Sequence, residues 1–114
     1  MITINETNVT IMVMDMDQAI NFYKSIGLNL KERWENHYAM MVTAGLTIGL
    51  HPAEKPGTPS SSISIGFMID KLPEAQALLE QNKIAFTSAS GKSGKYLHFR
   101  DPDGTALYFV EPGW

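Results

Sequence analysis

The feature that most constrains this chain is that it nearly repeats itself. Residues 8–30, NVTIMVMDMDQAINFYKSIGLNL, can be written over the stretch from Ser64, SIGFMIDKLPEAQALLEQNKIAF, with a constant offset of 56. Val9 then meets Ile65, Ile11 meets Phe67 and Val13 meets Ile69. The match continues with Met16 on Leu72, Ala19 on Ala75, Tyr23 on Leu79 and Leu28 on Ile84. Two amphipathic strand–helix units can align by chance, but the length of this match argues against it. A repeat of this kind fixes an architecture of two like units before any single element is assigned.

Each unit opens on a strand. Val9, Ile11 and Val13 alternate with Asn8, Thr10 and Met12; Ile63, Ile65, Phe67 and Ile69 alternate with Ser62, Ser64, Gly66 and Met68. Period two marks a half-buried strand, so the aliphatic faces are expected to pack on helices. The other faces are small and polar, which suits a cleft or solvent better than a second core. Asp15 is placed to cap the first helix, with Gln18 three residues on, the spacing of a capping box. Met16, Ala19, Ile20, Tyr23 and Ile26 recur at helical spacing and Gly27 ends the run, as glycine does at helix ends. A second helix is predicted to begin near Asp70 and Pro73, with Leu72, Ala75, Leu78 and Leu79 as its buried stripe. KERWEN, YAMMVTA and LTIGLHP read as three strands in the first unit; IAFTS, KYLHFR and ALYFVE read as three in the second. SASGKSGK, residues 88–95, reads as a flexible loop, and Asp101-Pro102-Asp103-Gly104 as a tight turn. The order is βαβββ twice, an α+β arrangement. We expect one domain over 1–114: a first module over about 1–52, a Pro/Gly/Ser-rich linker over about 53–62 and a second module over about 63–114.

Composition narrows the function classes. The chain has 114 residues, 44% of them hydrophobic and 18% charged, which fits a globular protein with its own core. It has no cysteine, so disulfides, thiolate metal sites and cysteine nucleophiles are excluded. The net charge is −3 and the basic residues form no stripe, which argues against a nucleic-acid partner. The N-terminal MITINETN lacks a basic region and an apolar run, and no apolar stretch approaches a membrane span. The expectation is a cytoplasmic protein with no membrane partner.

Two motifs carry a resemblance. VMDMDQAINFYKSIGL, residues 13–28, is similar to V-x-D-x-x-x-A-x-x-F-Y-x-x-x-G-L; FRDPDGTALYFVEP, residues 99–112, is similar to F-x-D-P-D-G followed by a hydrophobic strand and E-P. Both are patterns of the vicinal oxygen chelate superfamily, the glyoxalase, bleomycin-resistance and extradiol dioxygenase group. Each motif alone also reads as a capped helix or a tight hairpin. The resemblance implies paired βαβββ modules whose curled mixed sheets surround a cleft, commonly in a dimer. It also implies a divalent metal held by His, Glu or Gln from four strands, the first and last strand of each module.

At the four positions that the resemblance assigns, this chain carries Asn8, Ser64, Gly49 and Tyr108. None is an imidazole or a carboxylate, the donors that hold such ions against water. Displaced donors are conceivable. His51 lies two residues after Gly49, His98 is a candidate for the cleft, His37 sits near a strand junction and Glu111 follows Val110. Arg100 could pair with Asp101 or Asp103, or meet an anion. No serine triad, phosphate loop or paired-carboxylate signature is present.

The predicted inward faces carry Asn8, Thr10, Met12, Gly49, Ser64, Gly66, Met68, Ala106 and Tyr108; the facing of Trp34, Tyr38, Met40 and Tyr96 is open. An aromatic and Met-rich surface of this kind suits flat or greasy small molecules. It equally suits a filled second core or an interface. The expectation is a homodimeric small-molecule-binding protein with no metal or other cofactor. Asn8, Thr10, Met12, Trp34, His51, Ser64, His98 and Tyr108 are its candidate ligand-binding residues. The alternative is a metal-dependent lyase, isomerase or dioxygenase using displaced ligands such as His51, His98 and Glu111. Whether any reaction is catalysed is open.

Overall fold

The alternating stretch Val9–Val13 forms the first strand, β1, and the chain then turns at once into a helix, α1 (Met16–Ser25). Asp15 caps that helix as expected: its Oδ1 accepts the Gln18 backbone N–H at 3.0 Å. Capping satisfies one of the amide donors that a helix leaves unpaired at its start. The helix closes on Gly27 at φ +111°, where the Leu28 N–H reaches back to the Tyr23 carbonyl at 2.9 Å. Three strands follow, β2 (Asn29–Trp34), β3 (Tyr38–Thr43) and β4 (Leu46–Pro52). The sheet order is β1-β4-β3-β2, with β1 parallel to β4 and the remaining pairs antiparallel.

The second unit repeats the plan with β5 (Ser64–Met68), α2 (Leu72–Gln81), β6 (Phe86–Gly91), β7 (Gly94–Arg100) and β8 (Ala106–Pro112). Its sheet order is β5-β8-β7-β6 with the same pattern of parallel and antiparallel pairs. The computed structural model describes residues 3, 5, 7–55 and 63–113. The chain falls into two compact units, Met1–Gly57 and Thr58–Trp114. Most of the expected linker, residues 56–62, lies outside the described residues, as does Ser62 with its expected facing.

Each core lies between a helix and one face of its own sheet. In the first unit, Met16, Ala19, Ile20 and Tyr23 of α1 are buried with Ala39, Met41, Ile48 and Leu50 of β3 and β4. In the second, Ala75 and Leu79 of α2 are buried with Leu97, Phe99, Leu107 and Phe109. Each fully buried large aliphatic side chain contributes about 1.5–3 kcal/mol. No helix among the described residues is long and apolar enough to cross a membrane.

Two expectations need correction. Residues 88–95 are not a loop: β6 and β7 pair through Gly91↔Gly94, with the turn at Lys92 and Ser93. β6 is an edge strand whose residues after Phe86 are exposed, so it carries no hydrophobic alternation to read. Glycine is required at Gly94, where φ is +142° and a side chain would press on the Glu111 carbonyl. Second, the aliphatic face of β1 is only partly packed. Val13 is buried and Ile11 half-buried, but Val9 is exposed. Ile63, just before β5, is exposed too. Val9 lies on the edge strand β1, and Ile63 directly precedes the edge strand β5. The second helix begins where expected, at Leu72 between Asp70 and Pro73. Lys71 holds the cap position without a side-chain bond, and Glu111 supplies it instead: its Oε1 accepts the Leu72 N–H at 3.1 Å.

Candidate functional site

Strand pairing settles which residues share the sheet faces turned away from the helices. In the first unit Thr10 pairs with Gly49, and Gly49 with Met40. Met12 pairs with His51, while Trp34 pairs with Tyr38. A register shift between Leu30 and Glu32 of β2 lets Leu30 stay with Met41 on the helix side while Glu32 and Trp34 join Met40 and Tyr38. The facing of Trp34, Tyr38 and Met40, open from sequence, is therefore the same as that of Thr10 and Gly49. Met12 is 57% exposed and Trp34 45%, although both are large apolar groups.

At the middle of this face Tyr38 lies over Gly49. A Cβ added to Gly49 would stand 2.6 Å from Tyr38 Cζ and would overlap its hydroxyl. That hydroxyl accepts from Asn8 Nδ2 at 3.2 Å and lies 3.4 Å from Thr10 Oγ1. Interior strand glycines mark places where another group approaches closely, and here the group is a phenol. Trp34 packs beside it, with ring centroids 5.8 Å apart. His51 sits at the exposed end of the face, its Nδ1 2.9 Å from the Pro52 carbonyl.

The second unit solves the same space differently. Gly66 pairs with Tyr108, and Tyr108 with His98. The Tyr108 ring lies over Gly66 and would collide with any side chain there. Tyr108, His98 and Tyr96 form an aromatic cluster with all three centroid separations between 5.8 and 5.9 Å. Tyr96 and His98 are close to parallel, at 12°. The Tyr96 hydroxyl and Ser93 Oγ are 2.6 Å apart. Ser64 pairs with Ala106, and Ala106 with Arg100; Met68, at 71% exposed, stands at the other end of the face.

The turn between β7 and β8 is tightly built. Asp101 is 5% exposed and its Oδ1 accepts the N–H groups of Asp103 at 2.9 Å and Thr105 at 2.7 Å. Arg100 Nη1 donates to the Gly104 carbonyl at 2.6 Å, so its partner in the turn is backbone. His37 lies in the β2–β3 turn and is exposed.

The metal that the resemblance implies can be tested against these donors. In the first unit the two assigned positions offer a backbone glycine and an amide, Asn8, whose nitrogen already meets a phenol. In the second they offer a hydroxyl, Ser64, and a phenol, Tyr108, stacked in an aromatic cluster. Such neutral oxygens are weak competitors with water for a divalent ion, so these residues do not fit the group. Among the described residues no three His, Cys, Asp or Glu side chains gather as a metal site. Two of the displaced donors are held apart: Glu111 lies on the helix side of its sheet, capping α2, while His98 is on the opposite face.

The glycine–tyrosine pairs were not foreseen. Gly49 reads from sequence as one of the four assigned positions and Gly66 as a small residue on a cleft face; their placement inside strands beside tyrosine-bearing strands was the available signal.

The comparisons with known proteins agree with this architecture. A family model, the Glyoxalase/Bleomycin resistance protein/Dioxygenase superfamily, matches residues 4–109. Among solved structures, the genomically encoded fosfomycin resistance protein FosX from Listeria monocytogenes superposes with a TM-score of 0.82 at 13% identity, over 97% of this chain and 93% of that one. A glyoxalase family protein from Bacillus cereus gives 0.72 at 22% identity, over 96% and 95%. A glyoxalase/bleomycin resistance protein/dioxygenase from Alicyclobacillus acidocaldarius gives 0.73 at 18% identity, over 95% and 91%. No curated protein matches the chain. With the family model covering nearly its whole length and the paired βαβββ units in place, the chain belongs to the Glyoxalase/Bleomycin resistance protein/Dioxygenase superfamily.

Proposed function

We propose that this chain binds a planar apolar or aromatic small molecule on the sheet faces turned away from its helices, without a divalent metal. The observation that carries the reading is the pairing of a lost ligand set with a surviving aromatic surface. Asn8, Gly49, Ser64 and Tyr108 stand where metal donors are implied, while Trp34, Tyr38, Tyr96 and Tyr108 line the same faces. Aromatic rings and methionines give large contact area and adapt to flat ligands. The exposure of Met12, Trp34 and Met68 supports a face open to a ligand rather than one filled as a core. The candidate contacts are Asn8, Thr10, Met12, Trp34, His51, Ser64, His98 and Tyr108. A small-molecule target is in keeping with the fosfomycin resistance proteins among the structural neighbours. Homodimerisation and a cytoplasmic setting complete the reading; the former rests on the family resemblance and on the exposed Val9, Met14 and Ile63.

The test is binding of a neutral aromatic probe, 2-naphthalenemethanol, before and after exhaustive EDTA treatment. The proposal expects the same affinity in both states and a weaker affinity in Trp34→Ala or Tyr108→Ala. Binding that disappears with EDTA and returns with a divalent ion would overturn it.

A further inference from the structure

The second unit's open face is graded along its strands. Its rows follow from pairing: Met68, Val110 and Tyr96 at one end; Gly66, Tyr108, His98 and Thr87 in the middle; Ser64, Ala106 and Arg100 at the other. Adjacent rows are two residues, about 7 Å, apart along a strand. The first row is apolar, the middle row is aromatic and the last row ends in a guanidinium. No strand residue on this face is acidic. The nearby acids are otherwise placed: Glu111 caps α2 on the helix side, and Asp101 and Asp103 belong to the turn, where Asp101 is buried and accepts two backbone N–H groups.

We infer that this face selects a planar ring bearing an anionic group, an aromatic carboxylate or its equivalent. This inference rests on the small-molecule-binding reading above and adds the charge and orientation of the ligand. The ring lies over Tyr108 and His98, edged by Tyr96. The anionic group points toward the Ser64 and Arg100 row. Arg100 is exposed and spends Nη1 on the Gly104 carbonyl, a bond that holds the guanidinium in place. A guanidinium carries five N–H donors in a fixed fork that matches a carboxylate. The Ser64 hydroxyl is exposed at the same end and can donate.

The experiment uses the full chain labelled with 13C-methyl methionine. Met68 reports on this face, and Met12 and Met40 report on the open face of the first unit. The probes are 2-naphthoate and the neutral 2-naphthalenemethanol. The expected result is that 2-naphthoate shifts the Met68 methyl and binds about tenfold more tightly than the alcohol, a difference of about 1.4 kcal/mol. Arg100→Gln removes that preference and leaves the alcohol's affinity unchanged; Arg100→Lys, which keeps the charge and serves if the glutamine variant folds poorly, retains part of it. Equal affinity for the two probes, or 2-naphthoate shifts confined to Met12 and Met40, overturns the inference while the binding reading survives. If neither probe moves any methionine methyl, both fail.

Discussion

Two tyrosines on different strands end up covering the middle of equivalent sheet faces. Tyr38 reaches over Gly49 from β3, and Tyr108 reaches over Gly66 from β8. In both pairs the glycine is the condition for the phenol's position. Gly66→Ala should therefore cost about 1–3 kcal/mol through overpacking, measured by urea unfolding. The cost should shrink in a Tyr108→Ala background, because the colliding ring is gone; undiminished loss there would contradict the pairing. A second residue-scale prediction concerns helix ends. Gly27 and Lys83 occupy the same position after α1 and α2, and both have positive φ, +111° and +57°. The Leu28 and Ile84 N–H groups each bond back to the carbonyl five residues earlier, at 2.9 Å, the form of a Schellman closure. A side chain in that conformation costs about 1–2 kcal/mol, part of which glycine's extra chain entropy takes back. Lys83→Gly should stabilise the protein by about 0.5–1 kcal/mol in the same assay.

At the scale of elements, the strand β8 serves both sides of its sheet. Tyr108 faces away from the helix, while Glu111 caps α2 on the helix side. Glu111→Ala should cost about 1 kcal/mol, as lost caps do, without changing affinity for an aromatic probe. A loss of binding with unchanged stability would return Glu111 to the ligand site. The β7–β8 turn rests on Asp101, a buried carboxylate accepting two N–H groups. Asp101→Ala should cost about 2–3 kcal/mol, since bonds to a charged group are stronger and the amides are left unpaired. Most elements were legible because their cues are local: the Asp15 cap, the Gly27 stop, the stripe from Met16 to Tyr23 and the D-P-D-G turn. The far end of β6 was not, because the exposed run Ser88, Ala89, Ser90 and Gly91 on an edge strand is held by backbone pairing with β7 and leaves no pattern of burial. The Glu111 cap was not legible for a related reason: its partner is 39 residues away in sequence, and no spacing rule connects them.

For the whole molecule, the repeat carried most of the fold. The two helices, Met16–Ser25 and Leu72–Gln81, lie at the offset of 56 read from the sequence, and the two sheets share one strand order. The equivalence of Gly49 with Tyr108 follows from the pairing Thr10↔Gly49 and Gly66↔Tyr108. The site was legible only as positions. That Asn8 meets the Tyr38 hydroxyl, or that Tyr96, His98 and Tyr108 cluster, depends on rotamers and cross-strand neighbours that a linear pattern does not specify. The family scaffold is present, and at the four positions where the resemblance implies metal donors it carries only neutral groups, Asn8, Gly49, Ser64 and Tyr108. The most direct test of the metal-free reading is metal analysis of protein purified without chelator or affinity metal, paired with thermal unfolding in the presence of added Mn²⁺, Zn²⁺ or Ni²⁺. The expected result is bound metal far below one ion per chain and no rise in unfolding temperature. Near-stoichiometric metal, with a metal-dependent rise lost in Asn8→Ala or Ser64→Ala, would contradict it.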